Sequence, residues 1–259
     1  MKKYKAILLV LASEDVNNTF YVIKKLCDEW KPLYPYFKNI YQQYMNENPN
    51  IKVLFVYGNS PTLIANEYDL VYDVFENDYP GMITKTLFAM KDIENTYDYD
   101  FLIRTNLSTF WDLNRLDQRL DKLPKTQCLT GTPIKLKNNT GDDYHYIAGY
   151  DMIVSRDLIR SILPFSTEII NQKVLLNMED LSICTAIEKY TNIKLSEYSF
   201  KNDAVMINME SFSESQYQQY INYQIKNNID HFRVRNRIDR NIDKLIHRRL
   251  LQDIYGKSL

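Results

Sequence analysis

Cysteine and histidine are scarce in this chain. Its three cysteines, Cys27, Cys128 and Cys184, lie far apart among 259 residues. An odd, scattered set does not build a disulfide framework and fits a reducing compartment. Only three histidines are present, with no close Cys/His spacing, so a structural zinc site has no ligand pattern. Charge of one sign is missing too. Thirty-two basic side chains face 33 acidic ones, for a formal net charge of -1. That removes any general electrostatic case for nucleic acid or a membrane surface. Long apolar runs are absent: none approaches the ~20 residues that span a bilayer. The run Ala6 to Ala12 is short and stops at Ser13-Glu14-Asp15. It reads as a buried first strand, with a leader as the alternative. A cytoplasmic location is the expectation.

What is present is ordinary for a folded protein. Apolar residues make up 45% of the chain, enough for a sizeable core. The 21 tyrosines are read mainly as packing residues. Residues 5–12 suit a central parallel strand. Residues 18–30 place Phe20, Ile23, Leu26, Cys27 and Trp30 at helical spacing. Pro32 and Pro35 are expected to break that helix before a second one over 36–47. Strands are expected at 51–58, 69–75 and 101–104, with a helix over 79–93 (Met82, Leu87, Met90, Ile93) between the last two. A polar loop, 105–109, then leads to a helix headed by Phe110 and Trp111. Strands alternating with helices imply an α/β layer whose ligands bind beyond the strand C-termini. Ser13, Gly58 and the 105–109 loop would share that rim.

The second half reads differently. Strands over 127–134 and 144–154 flank a polar loop. Ser155 is a plausible N-cap for a helix that runs to Pro164. Residues 178–190 form a helix with its acids at the start. Short strands are expected at 193–200 and 203–208. Ser213 and Gln216 have capping-box spacing. Ile238, Ile242, Leu245 and Ile246 mark one face of a last helix. No stretch reads as a linker or a repeat, so one domain is expected over 1–259.

Three ordered segments carry a family resemblance. The run from Glu67 and Asp69 through Phe75, Tyr79, Lys85 and Thr86 leads into the strand Phe101–Arg104. YHYIAGYDMIVSRDLI and MEDLSICTAIEKY follow in order. Together they resemble glycosyltransferases of the β-1,3-galactosyltransferase and Fringe type. The resemblance covers residues 51–190. It implies a GT-A-like fold: a mostly parallel mixed sheet flanked by helices, here with a C-terminal helical extension over 211–259. It also implies inverting sugar transfer from a nucleotide sugar, by default a UDP-sugar, to a carbohydrate or glycoconjugate acceptor. Residues 1–125 would bind the nucleotide sugar, and 126–210 would serve acceptor and catalysis. The departures are specific. Asn106 and Ser108 stand where the family has metal-binding aspartates, Asn77 replaces another aspartate, and only Gly149 is kept of a glycine-rich segment. A catalytically inactive glycan- or nucleotide-binding module is therefore the rival reading.

Each candidate site residue also has a plainer role. Asp180 is the choice for catalytic base, with Glu179 second; both could instead just stabilise a helix start. Asn106 and Ser108 could bond ribose or phosphate, or form an ordinary loop with a capping serine. Neutral side chains hold a hard cation poorly. The expectation is therefore no required metal, with positive charge at the diphosphate supplied by Lys85, Arg104, His231, Arg233 and Arg235. A solvated basic helix face is the alternative for the last three. The resemblance puts Tyr146, Gly149, Tyr150 and Asp151 at sugar contacts, although strand tyrosines usually pack. Trp30 and Trp111 read as core.

Overall fold

Strand β1, Lys3–Leu11, is apolar without alternation because both of its faces are covered: Ala6 through Val10 are fully buried. β2 (Ile51–Tyr57) and β4 (Asp98–Asn106) pair with it in parallel on either side, and β3 (Asp69–Val71) extends the sheet beyond β2. Beyond β4 lie β9 (Met152–Ser155), antiparallel to it, and the two-residue β6 (Leu129–Thr130). The six-stranded order is β3-β2-β1-β4-β9-β6, a mixed and mostly parallel sheet. The structure is a computed structural model that describes residues 2–13, 33–59, 64–75, 80–137, 143–172, 178–197, 204–236 and 239–259. The helix expected over 18–30, with Cys27 and Trp30, lies outside them, as do Asn77, Tyr79 and Ile238.

Helices cover both faces. α1 (Leu33–Tyr44) packs Phe37, Ile40, Tyr41 and Tyr44 against Leu8, Val10 and Phe55. Pro35 does not precede this helix; it sits in its first turn, where no intrahelical donor is needed. α2 (Gly81–Thr96) buries Leu87, Met90 and Ile93 against the other face, beside Ile7, Leu9 and Leu102. Each such apolar side chain contributes about 1.5–3 kcal/mol over exposure. The helix headed by aromatics is not formed as expected. Thr109–Trp111 is instead a buried strand, β5, and Asp112 caps α3 (Leu113–Leu120) by accepting from Arg115 N.

The expected long strands 127–134 and 144–154 are each split in two. β6 ends at Gly131, whose φ of +145° bends the chain, before β7 (Pro133–Lys137). β8 (Asp143–Ile147) pairs with β7, and a turn through Ala148–Asp151 precedes β9. The Asp151 carboxylate takes Thr132 N (2.9 Å), so a side chain replaces the ladder at the break. α4 (Arg156–Ile162), α5 (Ser166–Asn171) and α6 (Glu179–Tyr190) follow. Ser155 is the cap residue of α4, but its hydroxyl turns to Asp157 (2.6 Å). The strand expected from 193 is a 3-10 turn, Leu195–Glu197, in its described part; Glu188 takes the Leu195 N–H at 2.6 Å.

The C-terminal segment is not helical throughout. β11 (His231–Val234) lies between α7 (Glu214–Asn227, capped by Ser213) and α8 (Asn241–Tyr255). It pairs with β5 on one side and β10 (Val205–Ile207) on the other. α8 buries Ile242, Ile246 and Leu250, spaced by four, whereas Leu245 is exposed. Among the described residues no helix is long and apolar enough to cross a membrane.

Candidate functional site

The parallel strands β1 and β4 end side by side, with Leu11 opposite Asn106. A cavity of about 220 Å³ opens there, between the rim residues Leu11–Ser13 and the turn Asn106–Ser108. Met82 from α2 and Tyr34 from α1 complete the apolar part of its wall. The rest is cationic: Arg104, Arg233, Arg235 and Arg240 line it, and among the described residues no carboxylate does. Such a composition suits an anion.

The four arginines are held differently. Arg104, on β4, forms a buried fork with Glu179, Nε to Oε1 at 3.3 Å and Nη2 to Oε2 at 2.5 Å. Arg240 pairs with Asp243. The β5–β11 register sets Arg233 opposite Thr109, and its guanidinium donates to Asn106 Oδ1 and Ser108 Oγ. It also lies 5.2 Å from the Tyr150 ring centroid. These partners are neutral, and Arg233 is 8% exposed. Burial, then the charges of Arg235, Arg240 and Arg104, push its pKa down to about 9. An anion beside Arg233 would relieve that stress.

Behind Arg104 lies the turn 148–151, which is not itself part of the cavity lining. Arg104 Nη1 donates to Gly149 O, and Thr105 Oγ1 donates to Tyr150 O at 2.7 Å. A Cβ on residue 149 would stand 2.4 Å from Arg104 Nη1, so glycine alone fits without displacing the guanidinium. Asp180, in the first turn of α6, accepts from Gly149 N (2.9 Å, Oδ2) and from Leu181 N (3.0 Å, Oδ1). Asp180 is therefore one hydrogen bond away from the turn that backs the cavity. Glu179 is buried; burial raises its pKa, against the opposing charge of Arg104. Tyr146 is 6% exposed, and burial raises its phenol. Tyr150 is half-buried, its pKa raised by burial to about 12.

His231 is not a cavity residue. It is fully buried, with Nδ1 2.7 Å from Asp230 Oδ1 and Nε2 3.2 Å from Asp151 Oδ2. Asp230 also pairs with Arg119 of α3 at 3.3 Å. Burial pulls the His231 pKa down, but the bonds and charges of Asp151 and Asp230 outweigh it and raise it to about 9. Lys85 is buried below the rim, donating to Ala12 O at 2.7 Å.

Of the expected donor-site residues, Ser13, Arg104, Asn106, Ser108, Arg233 and Arg235 thus meet around one cavity; Lys85 and His231 lie behind it. Gly149, Tyr150 and Asp151 share one turn, and Asp151 is fully buried, bound to Thr132 and His231. Arg240 joins the cavity residues from outside the expected set. Its signal lay in the Arg240–Asp243 spacing at the start of the last helix. Among the described residues no group of three or more His, Cys, Asp or Glu side chains could hold a metal ion. No protein-family model matches the chain, and comparison with curated proteins gives no significant match.

Proposed function

We propose that this chain is an inverting glycosyltransferase of GT-A-like architecture that uses a nucleotide sugar, with UDP-sugar as the default donor. The observation that supports it most is the arginine-lined cavity at the β1 and β4 ends, with Arg233 seated on Asn106 and Ser108. Its volume equals that of about seven waters, room for a diphosphate. The nucleoside and sugar would extend from it. As the bond from the anomeric carbon to the diphosphate breaks, negative charge grows on the leaving oxygen. Fixed guanidinium groups facing that position stabilise it without a metal. Asp180 would take the proton of the acceptor hydroxyl as its oxygen attacks from the opposite face. Both Asp180 oxygens hold backbone N–H groups, and each keeps a second lone pair for that proton.

The same two bonds favour the rival reading, an inactive glycan- or nucleotide-binding module in which Asp180 only fastens the turn. Calorimetry with UDP, GDP, CDP and dTDP tests the donor site; no heat with any of them, on folded protein, defeats the enzyme reading. Asp180→Asn separates the two. An enzyme should lose on the order of 10²–10⁴ in transfer rate while binding nucleotide normally. A wild-type protein that binds nucleotide and transfers no sugar across a donor and acceptor panel would be the module.

A further inference from the structure

We infer that His231 is a positioning residue of the arginine cavity: an imidazolium shared by Asp151 and Asp230 that fixes the 149–151 turn against β11. The inference rests on the anion-site reading above. Its basis is the geometry of the ring. Both nitrogens face carboxylate oxygens, 2.7 and 3.2 Å away. Ionised carboxylates only accept, so both nitrogens donate only when the ring carries two protons. The ring is also stacked on Trp111, centroids 4.4 Å apart and planes 26° from parallel. Trp111 Nε1 donates to Thr105 Oγ1 at 3.1 Å, and Thr105 in turn holds Tyr150 O. His231 therefore reaches the turn twice, once through Asp151 and once through Trp111 and Thr105.

That turn supports two cavity arginines. Gly149 O accepts from Arg104, and the Tyr150 ring lies against Arg233. Arg233 is two residues beyond His231 on the same strand, hence on the same strand face. The clasp thus ties the strand that carries one arginine to the turn that carries the other's acceptor. The charged groups around His231 are Asp151 from the turn, Asp230 before β11 and Arg119 from α3, which pairs with Asp230; Tyr150 stands beside Asp151. Their balance favours the protonated ring, whose pKa is raised to about 9.

The test has two readings on the full chain. Nitrogen-15 spectra of the ring, near neutral pH, should show both nitrogens protonated. Calorimetry with pyrophosphate should show weaker binding by about tenfold for His231→Gln, within the range of coupled neighbours. Asp151→Asn should lose a similar amount, and the double variant should be no worse than either single one, because each breaks the same clasp. A neutral ring, additive losses, or unchanged affinity in either folded variant would overturn the inference alone. Wild-type protein that binds no pyrophosphate would overturn the cavity reading and the clasp with it. Should His231→Gln not fold, Asp151→Asn and the wild-type spectrum still decide.

Discussion

At the scale of single residues, the decisive feature is a cation bound by neutral groups. A guanidinium that is 8% exposed and bonded to an amide and a hydroxyl keeps unspent attraction for an anion. Replacing Arg233 with Met should cost about 1.5–3 kcal/mol of diphosphate affinity, roughly 10- to 150-fold. Arg233→Lys should recover only part, since a point charge lacks the planar fork. Titration of the wild type with and without EDTA checks the metal-free account: affinity that collapses with EDTA and returns with manganese defeats it. Gly149 is the second such residue. In Gly149→Ala the new methyl must displace Arg104, which Glu179 holds, so stability should fall by about 1–3 kcal/mol and pyrophosphate affinity should fall too. An unchanged melting curve would mean that Arg104 moves freely. The sequence made these residues legible as types at strand ends. It did not show that His231 would be drawn inward, because Asp151, 80 residues away along the chain, meets it only through the fold.

At the scale of elements, legibility followed local pattern. The doubly covered β1 and β2 read clearly because each holds an apolar run without alternation, Ala6–Leu11 and Val53–Tyr57. The acid-headed α6 and the Ser213 cap read clearly because caps are local. Errors came where a side chain or a distant strand decided the outcome. Phe110 and Trp111 have no alternating context, yet β11 arrives from 120 residues later to make β5 a strand. The break between β8 and β9 depends on Asp151 bonding Thr132. The extension over 211–259 reads as helical, yet His231–Val234 within it is a buried strand. That change carries an expected outcome. Truncation near residue 228 removes β11 and α8, and with them the buried Phe232, Ile246, Leu250 and Leu251. The shortened chain should lose cooperative unfolding. Leu250→Ala alone should cost about 2–5 kcal/mol, read by chemical denaturation. A truncated chain that still folds and binds nucleotide would instead mark the segment as a separate interaction surface.

At the scale of the whole molecule, two buried histidines set opposite limits on stability. His247 lies in the core against Phe37 (ring centroids 4.5 Å), and neither ring nitrogen has a hydrogen-bond partner among the described residues. Burial, then Arg240 and Arg233, press its pKa from the usual 6.5 to about 3. The unfolded chain binds this proton below 6.5 and the folded chain does not. The neutral ring's contribution is therefore complete above 6.5 and is lost as pH falls toward 3. His231 has the opposite sign: its raised pKa makes its contribution complete below 6.5 and lost as pH rises through about 9. Each window should cost about 1.4 kcal/mol per pH unit. Stability measured by urea should therefore peak near neutrality. The carboxylates of Glu94, Asp100 and Asp157, held below their usual values, add to the acid limb only near pH 4. Glu179 and Asp112, whose pKa values burial raises, act with the opposite sign above about pH 4, so it is the difference between wild type and a His247 variant that isolates this histidine. His247→Phe removes the group and two unpaired nitrogens, which cost about 1–3 kcal/mol when buried. The variant should be more stable than the wild type at pH 5, and the gap between them should narrow as pH rises to 6.5. A slope equal to the wild type's would show that His247 is not the group that titrates.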